Sequence, residues 1–129
     1  MNYPYTPKST SYLEPGQFWA VPLSNGNYAC GVVLAKLSNG QKTESRIFLA
    51  ALVNWCGTSE PTPENIKNAQ ILKIGAAHIK AIQTTGGSII GKAEFNELPA
   101  SPKEYTDDIV TMGYGVIKKM AEKHFVKNS

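Results

Sequence analysis

The sequence predicts a mainly β chain closed by a C-terminal helix, an α+β domain whose strands form a small, strongly bent antiparallel sheet or an SH3-like barrel. The prediction rests on three features. Short apolar and aromatic runs are separated by the turn pairs Asn25-Gly26, Asn39-Gly40 and Gly86-Gly87. The apolar run at residues 46–55 has no polar alternation, as in a strand buried on both sides. Near the C-terminus, Ile109, Met112, Val116, Ile117 and Met120 recur at spacings of three and four, the period of an amphipathic helix.

A length of 129 residues fits one domain, residues 1–129, of a size that buries roughly two-thirds of the surface its unfolded chain exposes. It divides into an irregular N-terminal arm (1–15), a β core (16–98) and a C-terminal helix (106–125). A hydrophobic share of 42% with a charged share of 18% lies far from the composition that keeps chains disordered. Pro4, Pro7 and Pro15 favour extended backbone through the arm, with Tyr3, Tyr5 and Tyr12 between them. Residues 17–23 (QFWAVPL) and 28–37 (YACGVVLAKL) read as a hairpin, because an Asn-Gly pair suits a type I′ turn with both central φ angles positive. Thr62 can cap a short helical turn that starts at Pro63, with Glu64 near its positive end. Strands are expected at residues 70–74, 78–84 and 88–93, with a turn at Gly75-Ala76-Ala77. Thr106, Asp107 and Asp108 form a helix N-terminal signature, although Gly113 and Gly115 make the helix depend on docking or break near them.

Composition also limits function. No apolar run approaches the roughly 20 residues of a membrane span, and residues 1–16 carry no export signal pattern, so a cytoplasmic location is expected and no membrane partner. Cys30 and Cys56 sit in apolar stretches and read as structural thiols. The net charge of +3 does not call for a nucleic-acid partner, but it is unevenly spread. Residues 1–59 carry four bases and two acids, residues 60–108 five bases and seven acids, and residues 109–129 four bases and one acid. The terminal excess comes from Lys118, Lys119, Lys123 and Lys127, which read as a solvated helix face.

Catalysis needs a nucleophile or base held beside a partner, and the supply is thin. His78 and His124 are the only histidines, and with Cys30 and Cys56 they form no metal-ligand spacing, so no catalytic residue, metal or cofactor is assigned. The glycines match no phosphate-binding loop. Glu60, Glu64, Glu94, Glu97, Asp107 and Asp108 fall in loops and caps, where binding residues tend to be placed on a rigid scaffold. They are the candidate partner-binding residues.

Two stretches carry a family resemblance. Pro15-Gly16-Gln17-Phe18-Trp19-Ala20-Val21-Pro22-Leu23, followed by Asn25-Gly26-Asn27-Tyr28-Ala29-Cys30-Gly31-Val32-Val33-Leu34, resembles the opening of the immunity protein 26 family of bacterial polymorphic-toxin systems. Gly87-Ser88-Ile89-Ile90-Gly91-Lys92, then Leu98-Pro99 and Pro102, is similar to that family's second landmark. Gln17 stands where the family usually has an acid and Ser88 where it commonly has Trp. The resemblance implies a protein that binds and neutralises a cognate toxin, performing no chemistry itself. Two other readings of the residues are an SH3-like module that binds peptide or nucleic acid through Tyr3, Tyr5, Tyr12 or Tyr114, and a MazF-like endoribonuclease relying on Arg46, the chain's only arginine.

Overall fold

A computed structural model describes residues 2–96, 98–99, 101–113 and 115–126. Strand β1 (Gln17–Pro22) pairs antiparallel with β2 (Tyr28–Asn39), and β2 with β3 (Lys42–Gly57). The loop between β1 and β2 runs through residues 23–27, where Leu23 N–H donates to the Asn27 carbonyl. Only Gly26 there has positive φ, at 86°, so the expected type I′ turn gives way to a longer loop with glycine in the left-handed position. β2 and β3 are joined tightly: Asn39 opposes Lys42, and Gly40 takes φ 69° at the first central position, as a type II′ turn requires.

Along β3, Phe48, Ala50 and Leu52 pack on one face of the sheet, and Leu49, Ala51 and Val53 on the other. Both faces are covered, which is why the apolar run shows no alternation. Short helix α1 (Pro63–Ile66) is held by a reciprocal cap, in which Asn65 N–H donates to Thr62 Oγ1 and Thr62 N–H to the Asn65 side chain.

Beyond α1 the structure departs from the sequence reading. β4 (Ile71–His78) is one strand that runs through Gly75, Ala76 and Ala77, where a turn was expected, and it pairs with β3 from Ile71 to His78. Glycine fits there because Met112 and the Val110 backbone cross it: an added β-carbon would lie 2.6 Å from Met112 Cγ and 2.9 Å from the Val110 carbonyl oxygen. The expected strand at residues 78–84 is instead α2 (Lys80–Gln83), and that at 88–93 shrinks to β5 (Gly91–Lys92), on β1. β structure continues past residue 98, with β6 (Lys103–Glu104) parallel to β2 and β7 (Thr111–Met112) parallel to β4. The C-terminal helix α3 spans Val116–Phe125, not 106–125. Thr106 and its neighbours make a turn, and the helix starts only after the two glycines that oppose it.

Among the described residues, the seven strands follow the order β5-β1-β2-β3-β4-β7, with β6 also on β2. This is an open mixed sheet, neither a closed barrel nor purely antiparallel. Closure is unnecessary because separate layers cover each face. On the first face, Trp19, Phe48 and Ile82 pack with Ile117 and Ala121 of α3; on the second, Phe18, Leu34 and Val53 pack with Ile66, Phe95, Leu98, Tyr105 and Ile109. No helix among the described residues is long and apolar enough to cross a membrane.

Candidate partner-binding surfaces

The second face is covered by segments 60–69 and 93–110, which carry seven acids and two lysines. Glu60, Glu64, Glu94, Asp107 and Asp108 are all exposed there, and Glu97 lies outside the described residues. Glu64 and Glu94 line one shallow cleft of about 250 Å³ with Pro63, Lys67, Lys92 and Ala93. Lys67 Nζ approaches the Glu94 carboxylate at 3.5 Å, an exposed contact of little energetic weight. Asp107 and Asp108 sit on the turn after β6, where the Thr106 hydroxyl bonds to Asp108 and lowers that carboxyl's pKa. The structure thus brings Glu64 and Glu94 together and carries Glu60, Asp107 and Asp108, the other described candidates, on the same covering layer.

The opposite layer is basic. Lys118, Lys119 and Lys123 of α3 line a broad open groove of about 810 Å³ with Thr84, Thr85, Gly115 and Glu122. The Glu122 carboxylate accepts the Ser24 N–H and the Ser24 hydroxyl, both at 2.7 Å, and so ties α3 to the β1–β2 loop. Lys127 lies outside the described residues.

The groups that could do chemistry are dispersed or engaged. His78 Nδ1 accepts the Lys80 N–H at 3.1 Å; burial lowers its pKa, helped by the charges of Lys80 and Arg46. His124 stacks edge-on against Phe125. Arg46 donates to the Lys8 carbonyl at 2.6 Å. Cys30 is fully buried, which pushes its thiol pKa up, and Cys56 is exposed on β3 beside Ala29; both are free thiols. Among the described residues, no group of three or more His, Cys, Asp or Glu could hold a metal.

The arm is organised by a residue that the sequence did not single out for it. Gln17 is fully buried; its side-chain oxygen accepts the Tyr5 hydroxyl at 2.8 Å and the Glu14 N–H at 3.0 Å, while its amide donates to Tyr3 Oη and the Tyr12 carbonyl. Tyr3 and Tyr5 are thereby committed to structure, whereas Tyr12 is 69% exposed and Tyr114 lies outside the described residues. The sequence signal that could have marked it is a lone polar residue opening the apolar run 17–23, downstream of Tyr3, Tyr5 and Tyr12.

A family model for immunity protein 26 matches residues 14–114. The chain belongs to the immunity protein 26 family. No curated protein and no solved structure matches it.

The landmarks by which this immunity protein 26 chain resembles its family now have physical reasons. Trp19 and Gly31 are cross-strand partners, and the indole lies where any β-carbon at position 31 would be. Phe18 and Gly91 repeat the device on the second face: a β-carbon on Gly91 would come 2.8 Å from the Phe18 ring. Gly16, with φ 94°, exchanges backbone bonds by donating to Val33 and accepting from Ala93, which stitches β2 to the segment after β5. The matched region ends before α3, so the basic layer lies outside the part of the chain that the family model covers.

Proposed function

We propose that this chain is the immunity protein of a bacterial toxin system: a cytoplasmic protein that binds one cognate toxin and blocks it by occupancy, not by catalysis. The observation that carries the reading is the family match over residues 14–114. The proposed contact surface is the acidic cover, through Glu60, Glu64, Glu94, Asp107 and Asp108, with Glu97 a sixth candidate from the sequence alone. A net charge of +3 would disfavour an inhibitor of a basic toxin if the charges were mixed. Support for a basic target comes from segregation: both segments that carry these acids pack on one face of the sheet.

The decisive experiment is co-expression with the toxin domain encoded beside this chain. Growth rescue and a stable co-purified complex are expected. Absence of both rescue and complex would refute the reading.

A further inference from the structure

β4 is open along part of its outer edge. β7 stands beside only Ala76 and Ala77, and Ala76 sends its N–H outward to the Val110 carbonyl. Ile74 lies two residues earlier in an unbroken antiparallel register with β3, with Ala51 opposite Ile74 and Leu49 opposite Ala76. Its N–H and C=O therefore point the same way as those of Ala76, and among the described residues no strand stands beside them. The side chains around this edge are unusual as well. Ile74 is 44% and Val110 57% exposed, two of the three large hydrophobics exposed among the described residues. A bare strand edge with exposed apolar side chains is what folded proteins usually cover or blunt.

The two sides of the edge differ in chemistry. Its register with Ala51 puts Ile74 on the second face, whereas Lys73, opposite Leu52, belongs to the first. On that first side, Leu52, Leu72 and Met120 floor a cleft of about 230 Å³, rimmed by Lys73, Lys123 and His124.

We propose that an extended segment of the cognate toxin adds to β4 as a further strand at Ile71–Ile74. The proposal rests on the reading of the chain as a toxin-neutralising protein. Main-chain hydrogen bonds at Ile74 hold the added strand, and its alternating side chains meet the two sides differently. Apolar residues cover Ile74 and Val110, and acidic residues turn toward Lys73 and Lys123. A second copy of this chain fits poorly, because antiparallel pairing of two β4 edges would set Lys73 of each copy close to the other.

The test is amide exchange by NMR on the full chain, free and in complex with the toxin domain encoded beside it, together with affinity measurements on variants. The Ile74 amide is expected to exchange rapidly in the free protein and at least about a hundredfold more slowly in the complex. Ile74→Asp and Val110→Asp should each weaken toxin binding at least about tenfold without lowering the melting temperature, while Tyr12→Ser, at the third exposed hydrophobic, changes it less than about twofold. A complex in which the Ile74 amide stays fast, or in which Ile74→Asp binds normally, overturns strand addition and leaves the immunity reading intact. Concentration-dependent protection of Ile74 in the free chain overturns it in favour of self-pairing. Failure to form any complex removes both.

Discussion

Trp19 is fully buried, meets Phe48 edge-on at 5.9 Å between ring centroids, and occupies the space a side chain at position 31 would need. Gly31→Ala should therefore destabilise the protein by about 1–3 kcal/mol, read from urea unfolding, since the indole is locked between the sheet and the helices that cover its first face and cannot retreat. Gly113→Ala is the contrast: its β-carbon would meet only Val116 Cγ2 at 3.7 Å, so its cost should stay within about 0.5 kcal/mol. Tyr5 gives a prediction in pH. Burial raises its phenol to about 12 from 10.0, against the lowering effect of the Gln17 hydrogen bond. The unfolded phenol ionises first, so this contribution to stability is complete below pH 10.0 and is lost as pH rises toward about 12. In Tyr5→Phe that part of the alkaline decline should disappear from chemical unfolding curves measured across the same range.

Helix α3 depends on docking. It carries no side-chain cap at Gly115, yet Ile117 and Ala121 are fully buried against the first face. Ile117→Asp would place a charge with no partner in that core and should cost about 3–4 kcal/mol, whereas Lys119→Ala, on the exposed side, should change stability by less than about 0.5 kcal/mol. Thermal melts of both variants separate a structural helix from a detachable tail. Glu122→Ala should cost about 1 kcal/mol through the lost bonds to Ser24. Retention of the full-length melting temperature by a chain ending at Asp108 would contradict the docking account, because that truncation also removes β7 from the edge of β4.

Over the whole molecule, the sheet works as a partition between an acidic layer and a basic one. If the acidic layer meets a basic toxin, Glu64→Lys combined with Glu94→Lys should slow association at least about tenfold at low salt, with the difference shrinking as salt is added. Stopped-flow or surface-based association rates check this, and equal rates for wild type and variant would exclude the cleft around Glu64 and Glu94 as contact surface.

Features whose cause is local or strongly periodic are legible along the chain. These are the apolar runs of β1 to β3 and the places where the chain turns between them, the Thr62 cap, Val116, Ile117 and Met120 of α3, and the family landmarks around Gly16, Gly31 and Gly91. Ile109 and Met112, read as part of the same helical stripe, fall instead in a turn and in β7. The candidate acids are legible too, one by one, from their place in loops. How distant segments pair emerges only in the folded chain. Gly75 reads as a turn until Met112 and Val110 are seen crossing it. β5, β6 and β7 are two residues each, too short to carry a period, and exist because a longer strand lies beside them. The gathering of the acids on one layer and the bare edge at Ile74 are likewise products of chain crossing, since a side chain's neighbours across a sheet leave no trace in its neighbours along the chain.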